Sequence, residues 1–512
     1  MMSMSKTSTL RVKRSAFSVK TLNSQHLTFN SQFKKSPLRL CASAGNVGRW
    51  TLSVGCWMFI LVTGCIQTPE QPLTTPAPAA TMEVALASTN VLAAVERPLP
   101  KEWWTAFDDP ELNRLIARAR EQNRNLVQAS ARIEAAQATA RLVGAESALQ
   151  VNGSATISRS RISGSTVSSP MIPLEQTRLG IGLQFAYEAD LWGRIRALRN
   201  AAEKNVELSV AERATAEIAL CAEVTKTYLN RLAVVREQRV VERQLAAYAE
   251  TEKLQNIRTD AGFSTELDNS RTRVEVATRE GERAVLRERE QALCLALDIL
   301  CGDAAGANTF TNQSSQEIRI PVIPRTLSLA LLMQRPDVAA KRLRWEAVFQ
   351  RVYAAQAARY PALTLSGKIG TESERLSDLL DWKSRLWSVV AGLSAPILDG
   401  GRLKASKEVE QAALKEAAAG YEAAVLTAYR EVADALNSLR GIEERQTATE
   451  RAREASQRTF ALAKERYEKG FATYLDVIDS ERSLLTAERA LVQLAAFRQT
   501  ATIDLIRALG IP

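Results

Sequence analysis

The chain repeats itself at a constant distance of 208 residues, and this repeat is the strongest constraint on its fold. The matching elements run from a Gly-Arg pair, through a Gly-Phe pair, to a single glycine near the carboxyl terminus. They are Gly193-Arg194 and Gly401-Arg402, Glu223-Val224 and Glu431-Val432, Gly262-Phe263 and Gly470-Phe471, Thr265 and Thr473, Leu267-Asp268 and Leu475-Asp476, and Gly302 and Gly510. Solenoid repeats are only about 20–50 residues long, so a unit of this size predicts two large halves of one architecture.

The formal charge of +10 does not describe the body of the protein. Nine of the 67 Lys and Arg residues lie in the first 64 positions, which contain no Asp or Glu. The remaining sequence carries 58 basic and 57 acidic residues and is nearly neutral. Its charge therefore gives no reason to expect a nucleic acid partner.

Histidine is absent from the body of the chain, because the single histidine is His26 in the basic leader. This excludes Ser-His-Asp and Cys-His nucleophile systems and histidine-containing zinc sites from the body. Cys221, Cys294 and Cys301 lie in helical stretches without metal-ligand spacing, so we expect them to be small buried apolar residues. With no Gly-rich phosphate loop either, the sequence predicts no catalytic residue, metal or cofactor, and an enzyme is not expected.

The front of the chain reads as a targeting segment. Residues 51–65 form an apolar run that is shorter than the roughly 20 residues of a membrane-spanning helix, and it follows Arg49. The run ends in Val62-Thr63-Gly64-Cys65, which resembles a bacterial lipobox. We therefore expect a signal peptide followed by lipidation of Cys65. Two or more acyl chains give the firm anchoring that one chain does not.

Four segments follow from this organisation. Residues 1–64 are the basic leader and lipoprotein signal peptide. A signal peptide normally begins close to its charged end, so residues 1–46 do not fit this scheme, and we expect a translation start at or near Val47. Because the stretch is Ser-rich, basic and acid-free, it would also pass for an organelle transit peptide. Residues 65–100 are rich in Pro, Thr and Ala and read as an extended tether. Residues 101–310 and 311–512 are the two repeats.

Most of the body has the composition and spacing of long helices. No Gly or Pro occurs from Ile195 to Ala261 or from Leu475 to Leu509. At 1.5 Å per residue, the first stretch would reach about 100 Å. The second carries a narrow apolar stripe that predicts coiled-coil packing. Its members are Leu484, Ala487, Leu491, Leu494, Phe497, Ala501, Leu505 and Leu509.

Four short segments have a different period, in which apolar residues alternate with small or polar ones. They are 151–158, 181–188, 363–369 and 389–397, and they predict two β-hairpins, one in each half. An apolar face opposite a face of Asn, Ser, Thr, Gln and Lys is the outer-membrane barrel pattern. A barrel in a bilayer must close, which needs at least about eight strands. Four strands cannot close, so the chain must contribute to a barrel shared between copies.

Six segments of this sequence resemble signature segments of the TolC-type outer-membrane efflux proteins, in the lipoprotein branch that includes OprM and NodT. Together they lie within residues 101–512 and occur in the order found in the family. They are WWTAFDDPELNRLI (103–116), YEADLWGRIRA (187–197), LLMQRPDVAAKR (331–342), AARYPALTLSGKIG (357–370), APILDGGRLKAS (395–406) and RYEKGFATYLDVIDSERSL (466–484).

The resemblance implies a mainly α fold in which a homotrimer combines a long α-helical coiled-coil tunnel with a shared twelve-stranded transmembrane β-barrel. It also implies an exit duct at the outer membrane, with its tunnel in the periplasm, supplied by an inner-membrane pump through a periplasmic adaptor. No nucleic acid partner and no cofactor is implied.

Two interruptions of the helical pattern predict helix-turn-helix ends, one around Gly262 and Asp268 and one around Gly470. The resemblance implies that the adaptor docks at these ends. It further implies that Tyr467, Asp476 and Asp479 form the aperture. The two carboxylates are three residues apart on one helix face, so a trimer would present six around one axis. The alternative for Asp476 alone is a helix N-cap. At position 472 the family often has an arginine that helps to hold the aperture closed, whereas this chain has Ala472.

Gly193-Arg194 and Gly401-Arg402 mark the change from strand to helix, where we expect glycine to relieve crowding and arginine to pair with a carboxylate. Trp192 and Trp387 lie near strand ends, as interfacial aromatic residues do. Two other functions remain open: a type I secretion duct, and a lipid-anchored periplasmic adaptor or scaffold. The dyad pattern of 181–188 argues against the adaptor.

Overall fold

The computed structural model describes residues 102–165, 174–262, 265–306 and 332–511. The expected signal peptide, Cys65, the tether and the boundary between residues 310 and 311 lie outside these ranges. The helices of the described residues are α1 Pro110–Gln122, α2 Arg124–Ala145, α3 Arg194–Asp260, α4 Glu266–Cys301, α5 Pro336–Ala357, α6 Arg402–Glu468 and α7 Tyr474–Ala508. The strands are β1 Gln150–Arg161, β2 Glu175–Ala189, β3 Ala362–Ser373 and β4 Arg385–Ser394.

The sequence repeat is visible in the lengths and ends of the helices. Helices α3 and α6 each contain 67 residues, and α4 and α7 contain 36 and 35. Thr265 and Thr473, which are equivalent in the repeat, are the N-caps of α4 and α7. Each half therefore contributes one long helical hairpin, as the uninterrupted helical patterns predict. None of the helices within the described ranges is both long enough and apolar enough to cross a bilayer.

The four strands form one antiparallel sheet in the order β1-β2-β3-β4. The two predicted hairpins are confirmed, and β2 also pairs with β3, which joins the halves of the chain through Leu179↔Ser373 to Ala189↔Leu363. Strand β4 begins at Arg385, four residues earlier than expected, and ends before Pro396. Proline lacks the N–H that a ladder requires, so the predicted strand could not extend to residue 397.

The register of the sheet places most of the large apolar residues of the four strands on one side. Val151 pairs with Phe185, Phe185 with Gly367, and Gly367 with Val389. The neighbouring pairs hold polar or small residues, such as Asn152 opposite Gln184 and Gln184 opposite Lys368. Successive side chains point to opposite faces, so this register produces an apolar face and a polar face, as the sequence predicts. Strand β4 is the least regular, because Leu386 and Val390 lie on the polar face.

Aspartates and glycines hold the junctions between the sheet and the long helices. Asp190 accepts hydrogen bonds from the backbone N–H groups of Ile195 and Arg196, at 3.1 and 2.8 Å. Asp399 accepts from Gly401 and Leu403 in the same way, at 2.9 and 2.8 Å. These backbone N–H groups lower the pKa of Asp399. Each long helix therefore begins at a carboxylate that satisfies its free donors.

The role expected for the junction glycines is partly wrong. Gly193 and Gly401 have φ of +74° and +83°. No atom lies within 4 Å of a Cβ built on Gly401. Glycine is thus favoured at position 401 because the backbone there is left-handed, and not because a side chain would collide with its neighbours. Arg194 does pair with a carboxylate, Glu188, at 2.9 Å. Arg402 forms no ion pair with another described residue.

The largest hydrophobic core lies where residues 103–126 pack against the middle of α3 and α6 and the last turns of α4 and α7. It contains Trp103, Phe107 and Leu115 together with residues of α3, α4, α6 and α7. Tyr228 in α3 donates a hydrogen bond of 2.8 Å to Asp109, which caps α1. Buried Arg335 donates to the Ala508 carbonyl oxygen at 2.6 Å and also contacts Asp337 and Glu431. The Arg-Pro-Asp motif therefore ties the start of α5 to α6 and to the end of α7.

The cysteines of α3 and α4 and the apolar stripe of α7 are mostly buried, as the sequence predicts. Cys221 and Cys301 are buried as predicted, whereas Cys294 is only partly buried. Burial raises the pKa of the Cys221 thiol to about 12 and that of Cys301 to about 11. The apolar stripe of α7 is buried or partly buried except at Phe497, which is 52% exposed. Phe497 is therefore the one member of the stripe that its own chain leaves exposed, and its packing against a helix of another copy stays a prediction.

Candidate functional site at the helix-turn-helix ends

Both predicted helix-turn-helix ends are present. In the second, Gly470 has φ of +79°, and the Phe471 N–H donates to the Arg466 carbonyl oxygen at 2.8 Å, which closes the end of α6. In the first, Gly262 has φ of +73° and its N–H donates to Thr259. A left-handed residue with such a bond is a common helix ending, and glycine adopts it without steric cost.

Asp476 belongs to the capping box that starts α7. The Thr473 N–H and hydroxyl donate to its carboxylate at 2.9 and 2.8 Å, and the Asp476 N–H returns a bond to the Thr473 hydroxyl at 3.4 Å. The N-cap is thus Thr473, so the N-cap alternative for Asp476 is wrong, although its carboxylate does have a structural role. The Thr473 donors lower the pKa of Asp476. Asp268 in the first end accepts from the Thr265 hydroxyl at 2.9 Å.

Asp476 and Asp479 share an exposed face of α7. Val477, Ile478 and Ser480 between and beside them are buried. The Asp479 carboxylate is 59% exposed and accepts from Arg482 at 3.4 Å. The structure therefore places both carboxylates on the same solvent-facing side of the helix, at the very end of the hairpin.

Tyr467 contacts the other helical hairpin. Its hydroxyl accepts a hydrogen bond of 2.9 Å from the side-chain amide of Gln255, which is buried in α3. Its ring lies 5.5 Å from that of Tyr474, whose hydroxyl accepts from buried Thr272 of α4 at 2.9 Å. Two tyrosines of the second hairpin are therefore bonded to the first hairpin.

A row of charged contacts continues this connection away from the turns. Arg482 of α7 donates to Glu275 of α4, whose side chain is only 3% exposed. One heptad further on, Arg489 donates to Glu282 at 3.0 Å. Arg279 bonds both glutamates, at 3.2 and 2.8 Å. These contacts, two hydrogen bonds and two ion pairs, connect the second hairpin to the first near the turns.

The sequence reasoning missed Gln255, Thr272, Glu275 and Arg482. A signal was present for the ion pairs, since Glu275 and Glu282 are seven residues apart in one half, and Arg482 and Arg489 are seven apart in the other. For Gln255 no comparable signal exists, because a lone glutamine in a long polar helix has no distinguishing neighbours. Ala472 has no polar side-chain atoms, so it cannot contribute to these contacts as an arginine would.

The sequence matches the family described as outer membrane efflux protein over residues 115–302 and 327–511. The chain belongs to this family. The efflux protein is 34% identical to outer membrane protein OprJ of Pseudomonas aeruginosa over 80% of this chain and 86% of that protein. It is 30% identical to the pyoverdine export outer membrane protein OpmQ of Pseudomonas putida, over 82% and 90%. The probable outer membrane lipoprotein SilC of Salmonella typhimurium is 27% identical, over 88% and 96%.

Solved structures agree with this assignment. The crystal structure of outer membrane protein VceC from Vibrio cholerae matches 81% of this efflux protein and 99% of that chain, with a TM-score of 0.74 and 30% identity. The outer-membrane channel OprN matches 86% and 98%, with a TM-score of 0.77 and 27% identity. The predicted fold, a helical tunnel with strands contributed to a shared barrel in a trimer, is confirmed. So are the location in the outer membrane and the function as an efflux channel.

Removal of Arg482 should weaken the contact between the hairpins. We expect Arg482→Ala to destabilise the efflux protein by about 1–3 kcal/mol, because buried Glu275 loses one of its two partners. The control is Arg273→Ala, since Arg273 is 56% exposed and forms only long ion pairs of 3.8 and 3.7 Å. Thermal unfolding of the two variants should show a clearly lower midpoint for Arg482→Ala. Equal midpoints would contradict a holding role for this contact.

Proposed function

We propose that this efflux protein is the exit duct of a tripartite pump and that it conducts its cargo passively, without catalysis. The observation that supports this most directly is the sheet. It has one apolar face and two open edges, and its four strands are too few to close into a barrel. Three copies that join β4 to β1 would provide twelve strands around one pore. The helical hairpins that leave the sheet would then surround a tunnel along the same axis.

The lipid anchor is the second element of the proposal. Cys65 follows an apolar run and a Val-Thr-Gly sequence, and SilC is named as a probable lipoprotein. Diacylated Cys65 would hold the amino terminus at the membrane through two acyl chains, independently of the barrel.

Palmitate labelling tests the anchor. Cells that express the efflux protein should incorporate labelled palmitate into it, and Cys65→Ser should abolish the label while Cys56→Ser leaves it unchanged. The variant should still reach the outer membrane fraction, because the strands carry the spanning apolar face. Label retained in Cys65→Ser would refute this lipidation site.

The aperture would be the third element. Asp476 and Asp479 lie exposed on one face of α7 at the end of the hairpin, and three copies would bring six carboxylates to one axis. Such a ring attracts cations and repels anions. Tyr467 would keep it narrow, because its bond to Gln255 holds the second hairpin against the first.

Conductance measurements test this assignment. In planar bilayers, Asp476→Ala combined with Asp479→Ala should raise single-channel conductance and weaken block by multivalent cations by roughly tenfold or more, as charge is lost from the narrowest point. Asp268→Ala is the matched control, because it removes the equivalent capping carboxylate from the first hairpin end. Conductance and block that are unchanged in the double variant, or changed equally by Asp268→Ala, would refute the aperture.

The helix-turn-helix ends would form the docking surface for a periplasmic adaptor, which connects the duct to an inner-membrane pump. Gly262 and Gly470 lie at the turns, and Asp268 lies in the first turn of the helix that follows the first of them, where it is bonded to the N-cap Thr265. Apolar side chains are exposed here, with Phe471 73% and Leu267 59% accessible. Exposed apolar residues at the end of a hairpin suit contact with another protein. A photocrosslinker at position 471 should capture the adaptor, and failure to do so in the intact pump would oppose docking at this end.

A small-molecule cargo is favoured over protein secretion. The relative OpmQ is named for export of pyoverdine, and the expected lipidation and the OprM-like segments of the sequence also favour efflux. The adaptor interpretation has no support, since residues 181–188 lie in a strand that pairs on both sides.

A further inference from the structure

A groove of about 840 Å³ crosses all four strands, and most of the residues that line it have their side chains on the apolar face of the sheet. It is lined on that face by Ala155, Ile181, Leu183, Ile369, Thr371 and Trp387, with Arg385 at one end. The register explains why these residues meet, because Ala155 pairs with Ile181, Ile181 with Thr371, and Thr371 with Arg385. The volume is in the range of small-ligand sites, about 300–1,000 Å³.

Unequal side-chain sizes create the groove. Strand β1 contributes Gly153 and Ala155, which leave space beside Ile181 and Leu183 of β2. On β4, Trp387 is 78% exposed, and its ring bounds the groove at that strand. An apolar channel bounded by an aromatic ring is the shape that suits a hydrocarbon chain.

Arg385 is the single charged residue that lines this groove among the described residues. Its guanidinium lies 3.6 Å from the centre of the Trp382 ring, and no ion pair between described residues includes it. An arginine on the lipid-facing side of a barrel is tolerated near the membrane interface, at a cost of about 0–1 kcal/mol, but is costly deeper in the bilayer. Arg385 therefore belongs at the headgroup level with its charge available.

The position of Arg385 along the strands identifies the leaflet. Strands β2 and β4 lead into α3 and α6, which point to the periplasm, so the end of β1, the start of β2 and the loop 374–384 lie at the external end of the sheet. Arg385 directly follows the loop 374–384. At the same end and on the same face, Arg159 and Arg161 share one carboxylate, Glu175, at 2.8 and 3.4 Å. This end of the apolar face therefore carries a net positive charge.

We propose that the groove binds an acylated, phosphorylated glycolipid of the outer leaflet, with one acyl chain along the apolar floor and a phosphate on Arg385. The proposal rests on the apolar face lying against lipid, and it does not depend on the aperture or on the pump. A phosphate monoester carries more negative charge than a zwitterionic phospholipid headgroup, and it matches the forked donors of a guanidinium. The arginines at the external end favour the same lipid.

Native mass spectrometry of the purified assembly tests the proposal. The wild-type protein is mixed with diphosphorylated lipid A, with the same lipid after removal of its phosphates, or with phosphatidylethanolamine. We expect diphosphorylated lipid A to remain bound at levels at least about tenfold above the other two lipids. Arg385→Gln should reduce this binding to the level of the dephosphorylated lipid, and Arg385→Lys should restore part of it.

The matched control is Lys368→Gln, which removes a positive charge from the opposite face of the same sheet and should leave lipid binding unchanged. Inorganic phosphate in millimolar excess should not displace the lipid. Equal binding of dephosphorylated lipid A or of phosphatidylethanolamine by the wild type would overturn the proposal, and so would displacement by free phosphate. These comparisons use the wild-type assembly and stand even if Arg385→Gln fails to assemble. If it assembles, binding equal to the wild type would also overturn the proposal.

Discussion

The backbone groups at the two edges of the sheet are the constraint on which the rest of the structure depends. Strands β1 and β4 each have one edge that pairs with no strand of the described chain. In water these N–H and C=O groups would be solvated, but in a bilayer each unsatisfied group costs several kcal/mol. A chain of this family in the outer membrane must therefore pair its edges with other copies of itself. The oligomer, the pore and the shared helical tunnel are consequences of that requirement.

The contacts between the sheet and the long helices fix how the helices leave the sheet to form the tunnel. Asp190 and Asp399 start the two long helices, and Arg194 is bonded to Glu188 at the end of β2. These contacts tie the direction of each helix to the strand before it. Further along, the buried core around Trp103 and the contacts of Arg335 join the helices of both halves. The ends of the hairpins are joined by side-chain hydrogen bonds and ion pairs, beside a small apolar cluster around Tyr474.

The sequence predicted the features that have a local or periodic cause. The repeat indicated two equivalent helical hairpins, strand alternation indicated the two faces of the sheet, and glycine followed by threonine indicated the turns at Gly262 and Gly470. It did not predict contacts between segments far apart in the chain. The pairing of β2 with β3 depends on the two hairpins meeting, and the partner of Tyr467 depends on how two helices lie side by side. Phe497 was expected in the core because its spacing fits a stripe, but spacing alone does not show which chain covers it.

Disulfide cross-linking across the sheet edges tests the central claim most directly. Ser154 on β1 and Ser388, Val390 and Gly392 on β4 lie on the same polar face, at opposite edges of the sheet of one chain. Three strand spacings of about 4.8 Å separate these edges, so a bond within one chain is out of reach. When Ser154→Cys is combined in turn with a cysteine at each β4 position, at least one pair should form covalent dimers and trimers on oxidation in membranes, and no larger species. If every one of these cysteine pairs gave only monomers after oxidation, the shared barrel would be contradicted.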